Sequence, residues 1–182
     1  TPLYSSAASD VYKRQAEYAA KERGLKVTGL TISKEQLLYA QKRIKNKGLE
    51  DKVDLKLQDY RDEKGVYDGV ASIEMFEAVG EKYWPIYFET IKHCLKPGRQ
   101  ATLQIITVHD ARWDVYRKSV DFIQKYIFPG GMLPSPTVLR QEVTKAGLRV
   151  QHSIEFGKSY SQTLRRWFDV FNDQWDTIND MG

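Results

Sequence analysis

The sequence predicts an α/β domain built on an open parallel sheet. Two observations carry that reading. From Ala16 onward, short β-branched or apolar runs alternate with longer segments of helical period. The spacing between successive runs leaves room for a helical crossover, which parallel neighbours require. The size agrees: 182 residues, 41% hydrophobic and 29% charged, suffice for one globular core.

The elements follow in order. "AEYAAKER" reads as a helix end closed by Gly24. "LKVTGLTI" is strand-like and β-branched. "SKEQLLYAQKRIKNKG" is a helix, with Ser33 as its cap, Gln36 three residues on, a face of Leu37, Gln41 and Ile44, and a stop at Gly48. "KVDLKLQDY" alternates as a strand, and "YDGVASI" is a short buried one. "EKYWPIYFETIKHCL" is a helix stopped by Pro97-Gly98, and "RQATLQIITV" is the next strand. A helical, aromatic insertion over residues 110–127 leads into "FPGGMLPSPT". "PTVLRQEVTKAGL" is a helix opened by proline, "RVQHSIEF" a strand, and "YSQTLRRWFDVFNDQWDTI" a final amphipathic helix.

Composition removes several function classes. No run approaches the roughly 20 apolar residues of a membrane span, and no charged-then-apolar leader opens the chain, so a cytoplasmic location is expected. The single cysteine, Cys94, allows no intrachain disulfide and no cysteine metal cluster, and reads as a buried thiol. His93, His109 and His152 are scattered without ligand spacing, so no metal is expected. A net charge of +4 and a pI of about 9.0 suit an acidic ligand or an anionic membrane surface. No nucleic-acid partner is expected.

Residues 1–15, "TPLYSSAASDVYKRQ", differ from the rest. They are small and polar, and "SDVYKRQ" resembles the translated end of a sequencing adaptor. The expected organisation is a non-native segment over 1–15 and a partial domain over 16–182.

In an open parallel sheet, ligands bind outside the carboxyl ends of the strands. The residues there are Thr31 to Ser33, Gln58 to Tyr60, Ile73 and Glu74 with Glu77, Gln104 to Thr107, and Phe156-Gly157 with Tyr160. They are polar and aromatic, which suits a nucleoside beside a polar reacting centre. No G-x-G follows a strand, and Gly130-Gly131 lies too late to supply that loop.

The segments "VTGLTISKEQLLYAQKRI", "LQDYRD", "SIEMFEAVG", "FIQKYIFPGGMLPS" and "FGKSYSQTLRRW" resemble the cyclopropane fatty acid synthases and mycolic acid cyclopropane synthases. The resemblance runs from Ala16 to the C-terminus. It implies a Rossmann-like class I methyltransferase sheet that here lacks its first and last strands. The first strand would sit at the sheet's centre, between the strands ending at Thr31 and Ile73. Without it those two have unpaired edges or take up another segment, such as residues 3–8.

The resemblance also implies chemistry. Such enzymes use S-adenosylmethionine to add a methylene bridge across a cis double bond of a phospholipid acyl chain. The alkene attacks the methyl group, and a base, thought to be bicarbonate, removes a proton. Carried over by match, Thr31 and Gln36 contact the methionine and ribose of the cofactor. Asp59 and Tyr60 lie at the adenine, and Ile73 lies beside the methionine. Glu77 holds the bicarbonate, Gln104 stands where many members have a bicarbonate-binding histidine, the backbone of Ile106 adds a contact, and Tyr160 is the site tyrosine. Ala78 departs from a common histidine, and Glu74 is read as structural or as a helix N-terminal acid. Trp113, Tyr116, Phe122, Tyr126, Phe128, Tyr160, Trp167 and Phe168 supply aromatic surface, either for an acyl tunnel or for ordinary core packing. Docking is expected to be peripheral, at the inner membrane face, through "YIFPGGMLP" with Lys118 and Lys125 and through Arg165 and Arg166. The 182-residue chain alone is expected to be inactive. A small-molecule N- or C-methyltransferase of the same fold, or an inactive α/β remnant, is the alternative.

Overall fold

The computed structural model describes the backbone of residues 2–6 and residues 14–180 in full. It divides into two units, Thr1–Arg149 and Val150–Gly182.

The first unit holds a five-stranded, fully parallel sheet of order β3-β2-β1-β4-β5. The strands are β1 (Pro2–Ser6), β2 (Lys26–Thr31), β3 (Val53–Leu57), β4 (Tyr67–Ile73) and β5 (Leu95–Gln104). Four helices accompany them: α1 (Arg14–Arg23), α2 (Lys34–Lys45), α3 (Trp84–Cys94) and, in the insertion, α4 (Asp110–Lys118). A fifth, α5 (Pro136–Lys145), closes the unit.

Of the two outcomes expected at the sheet's centre, the second is seen: another segment fills it. Pro2–Ser6 pairs in parallel with β2 on one side, Leu3 against Val27, and with β4 on the other, Leu3 against Gly69. The physical reason is the demand of two interior edges. β2 and β4 each present a row of N–H and C=O groups, and an available extended segment satisfies both. The remainder of the expected non-native segment, apart from Arg14 and Gln15 of α1, lies outside the described residues.

Local chemistry sets the helix ends. The Ser33 hydroxyl accepts from the Gln36 N–H at 3.2 Å, capping α2 as its sequence predicts. Ser135 does the same for α5, accepting from the Val138 N–H at 3.3 Å ahead of Pro136 at the first helical position. Each such cap contributes about 1 kcal/mol. The buried face of α2 is Ala40 and Ile44 with half-buried Leu37; Gln41 is exposed, so Ala40 takes the place assigned to it.

Two apolar clusters hold the unit together. Under α1 and α2, Ala16, Ala20, Val27, Ile44, Leu49 and Val53 pack together, and Arg43 Nε bonds Glu17 Oε2 across the two helices at 2.5 Å. The larger cluster lies at α3, where Phe76 stacks on Trp84 at 5.2 Å and meets Tyr87 edge-on at 4.9 Å. Trp113 of α4 joins it, 6.0 Å from Trp84, so the start of the insertion is core. Cys94 is fully buried there, and burial pushes its thiol up to about 11, in keeping with a structural role.

Two strand boundaries depart from expectation. β5 starts at Leu95, directly after α3, and not after Pro97-Gly98. Tyr67 pairs with Leu95 but Gly69 pairs with Gln100, so Lys96 to Arg99 bulge out of the ladder. Lys96 and Arg99 then reach Asp68 at 2.8 and 3.2 Å. The expected strand over residues 149–156 does not form, and its side chains are exposed. Alternation marks which side chains would share a face. A strand also needs a neighbouring ladder, and this segment has none among the described residues.

The second unit carries α6 (Gly157–Asp173) and α7 (Trp175–Asn179), as the final helical period predicts. Its apolar side chains, Leu164, Trp167, Phe168, Val170 and Phe171, are exposed. No helix among the described residues is long and apolar enough to cross a membrane, and no acid, histidine and cysteine group there could hold a metal.

Candidate active site

The parallel ladder aligns the carboxyl ends of β3, β2, β1, β4 and β5 along one edge of the sheet. At the end of β2, Thr31 Oγ1 donates to Gln36 Oε1 at 2.9 Å and accepts from the Ser33 N–H at 3.2 Å. This fixes Gln36 over the strand end. Thr31's carbonyl accepts from the Gln58 N–H at 2.9 Å, which brings the β3 end alongside.

After β3, Asp59 caps a short 3-10 turn over Tyr60–Asp62. Its carboxylate accepts from Arg61 three times: from the backbone N–H at 2.9 Å, from Nε at 2.9 Å and from Nη2 at 2.7 Å. Those bonds to Arg61 hold its carboxyl below the usual range. Tyr60 is half-buried, meets Tyr87 edge-on at 5.8 Å, and is pushed up to about 12 by burial. Ile73 closes β4 beside Gln104, its partner in the ladder.

Two acids follow. Glu74, immediately after β4, has φ +49°, a left-handed conformation that costs a non-glycine residue of order 1–3 kcal/mol. Its N–H donates to the Gln104 carbonyl at 2.9 Å, and its Oε1 accepts from Gln104 Nε2 at 2.7 Å. Glu77 sits in a 3-10 turn over Phe76–Ala78 and is 8% exposed. Its Oε1 accepts from the Ile106 N–H at 2.6 Å, while Oε2 is buried without a partner among the described residues. Burial raises the Glu77 carboxyl above its ordinary value, the Ile106 N–H opposes this, and the nearby charge of Glu74 adds to it.

The insertion seals this turn from behind. The Glu77 carbonyl accepts from the Met132 N–H at 3.1 Å. A Cβ on Gly131 would lie 2.6 Å from that same carbonyl, so only glycine allows the approach. Gly80, at φ +74°, meets the Gly130 carbonyl in the same way, at 2.7 Å from where its Cβ would be.

Of the expected site residues, Glu77 and the Ile106 N–H meet directly, the Gln104 side chain meets Glu74 instead, and Thr31, Gln36, Asp59, Tyr60 and Ile73 lie along the same sheet edge. Tyr160 lies in the first turn of α6, in the second unit. Sequence reasoning missed two contributors. The sequence reading gives Glu74 a structural or helix N-terminal role, and gives Gly131 no role in packing against the Glu77 turn, placing it in the docking loop "YIFPGGMLP". The signal for Glu74 was its place one residue past a buried strand, and for Gly131 the doubled glycine itself.

A parallel α/β sheet with polar residues at its strand ends is shared by many open α/β folds, and the comparisons with known proteins narrow it to the class I S-adenosylmethionine-dependent methyltransferases. A mycolic acid cyclopropane synthase solved with S-adenosylhomocysteine superposes with a TM-score of 0.82 at 22% identity, over 95% of this chain and 63% of that one. The chain belongs to the family described as mycolic acid cyclopropane synthetase, which matches residues 13–182. It is 37% identical over 164 residues to a tuberculostearic acid methyltransferase of Mycobacterium tuberculosis, covering 90% of this chain and 38% of that protein. It is 36% identical over 166 residues to the cyclopropane-fatty-acyl-phospholipid synthase of Escherichia coli, covering 91% of this chain and 41% of that protein. The chain therefore spans about two fifths of the length of these curated relatives.

Proposed function

We propose that this domain belongs to an enzyme that transfers a one-carbon unit from S-adenosylmethionine to the double bond of a lipid acyl chain. The observation that carries the reading is the buried Glu77, fixed by the Ile106 N–H at the end of the sheet of a family whose named members act on fatty acyl lipids.

The residues present fit the cofactor. The Gln36 amide N–H groups, the Tyr60 ring and Ile73 offer donors, an aromatic face and an apolar contact along three strand ends, while the Thr31 hydroxyl is bonded to Gln36 and the Asp59 carboxylate to Arg61. When bound, S-adenosylmethionine supplies an electrophilic methyl group. The chain's own task is then to manage the proton that the alkylated acyl chain loses. Glu77 Oε2 is a buried acceptor with no partner among the described residues, and its raised carboxyl is suited to take up a proton.

Bicarbonate enters only by resemblance. Its two expected donors are engaged by acids of the chain, the Ile106 N–H by Glu77 and the Gln104 amide by Glu74. The ion would have to displace Glu77 to reach the Ile106 N–H, while Gln104 keeps a second amide hydrogen that Glu74 does not take. Tyr160 is assigned a site role on its match to the family pattern alone.

An exposed apolar surface supports docking at a lipid surface. Phe122, Ile123, Tyr126, Ile127 and Phe128 are each half exposed or more, and Lys125 Nζ stands 4.9 Å over the Tyr126 ring. Lys118 ends the neighbouring helix. Apolar insertion beside basic residues is the chemistry of peripheral binding, with each cation worth about 1 kcal/mol at an anionic surface. The inner membrane face supplies such a surface.

Glu77→Gln in the whole protein tests the central assignment. Cofactor binding, read by calorimetry, should persist, and lipid turnover should fall about a hundredfold or more. Unchanged turnover would remove Glu77 from the reaction.

A further inference from the structure

Glu74 is the only non-glycine residue with a left-handed backbone among the described residues. Such a conformation persists where its surroundings over-determine it, and such positions cluster at functional sites. Here the surroundings are one residue. Glu74 holds Gln104 twice, donating its N–H to the main-chain carbonyl at 2.9 Å and accepting from the side-chain Nε2 at 2.7 Å. Two residues further along the same strand end, the Ile106 N–H is taken by Glu77. The two acids thus address two positions of one strand end. Among the described residues neither acid is ion-paired, unlike Glu17, Glu63, Asp59 or Asp68.

We propose that Glu74 is a positioning residue of the Glu77 site: its carboxylate fixes the Gln104 amide, so that the other amide hydrogen and the carbonyl oxygen stand at a set angle beside Glu77 and Ile106. The left-handed turn is what allows both grips at once. An extended residue at position 74 would carry its side chain on to the other side of the strand. This assignment rests on the reading of Glu77 as the reaction centre.

Backbone and side chain make opposite demands at this position, and that provides the test. Glycine adopts a positive φ freely, so Glu74→Gly relieves the backbone while removing the carboxylate. In the whole protein the melting temperature of Glu74→Gly should be unchanged or higher. Its kcat should fall about tenfold to a hundredfold with little change in KM, the scale of a misplaced group. Glu74→Gln keeps an acceptor oxygen for the Gln104 amide and should recover most of kcat. The double variant Glu74→Gly/Gln104→Ala should be no slower than Gln104→Ala alone, because Glu74 acts through Gln104. Full activity in Glu74→Gly, or losses that multiply in the double variant, would overturn the assignment. A readout without turnover separates it from the proposed function. The side-chain amide resonances of Gln104 should show one bonded, slowly exchanging hydrogen that disappears in Glu74→Gly. If the unsubstituted enzyme modifies no lipid, the lipid reading fails, and the amide spectrum still decides the role of Glu74: a spectrum identical in both forms contradicts it.

Discussion

The Glu77 carboxyl joins stability to chemistry in one group. Burial raises it above its ordinary 4.5, so the folded chain binds this proton more tightly than the unfolded chain does. Its contribution favours folding below the ordinary value and is lost as pH rises through the folded-state value. Glu77→Gln removes that loss while keeping an oxygen for the Ile106 N–H. The variant should therefore melt higher than the parent at neutral pH and alike in acid, a difference that thermal melts across pH would read. A variant less stable at neutral pH would mean that the ionised carboxylate stabilises the fold. Glu77 was singled out by its place in the segment "SIEMFEAVG", which resembles the cyclopropane synthases. The Glu74 bonds were not legible. Nothing in a residue's identity announces a positive φ, and a glutamate is among the residues least expected there. The Asp59 carboxylate, bonded three times by Arg61, was equally hidden, since a neighbour two residues away is seen only once the turn is drawn.

Among the elements, helices with a side-chain cap were read closely. Ser33 and Ser135 each accept from a backbone N–H three residues on, and that geometry depends only on local sequence. Segments whose structure depends on distant partners were read less well. Residues 149–156 alternate but find no ladder, and the bulge of Lys96 to Arg99 is set by Asp68 on another strand. The loop behind Glu77 is of the same kind. Gly131→Ala would force a Cβ to 2.6 Å from the Glu77 carbonyl, which should cost about 1–3 kcal/mol and lower turnover by shifting the Glu77 turn. A thermal melt with a parallel assay checks both, and a neutral substitution would show that the loop yields easily. In the insertion, Trp113 proved to be core while Phe122, Tyr126 and Phe128 stand exposed, a division that helical period alone does not make. Vesicle flotation tests the exposed part. Phe122→Ser with Phe128→Ser should weaken recovery on anionic vesicles, and added salt should weaken it further. Recovery that ignores both would remove the docking role.

At the scale of the molecule, the sheet depends on its centre. β1 pairs with both neighbours, and its Ser5 faces Gly29 on β2 and Ala71 on β4. Proline at position 5 removes a donor from an interior strand, and about 3 kcal/mol or more of stability should go with it. Ser5→Pro should therefore reduce soluble, monodisperse protein in size-exclusion chromatography. An unaffected profile would show that Pro2–Ser6 does not hold the sheet together. The α/β class and the line of strand ends were legible because hydrophobic period and crossover spacing are properties of the whole chain. The filled centre was open to prediction only as one of two outcomes, because "PLYSS" is too short and polar to announce a strand, and it becomes one where two interior edges need a partner. We propose above that the sheet edge around Glu77 serves one-carbon transfer to a lipid acyl chain. The most direct test is mass spectrometry of phospholipids incubated with the whole protein and S-adenosylmethionine carrying a labelled methyl group. Labelled acyl chains heavier by one methylene should form, only from unsaturated lipids, and be lost in Glu77→Gln. Label carried by a small-molecule acceptor with the acyl chains untouched would contradict it.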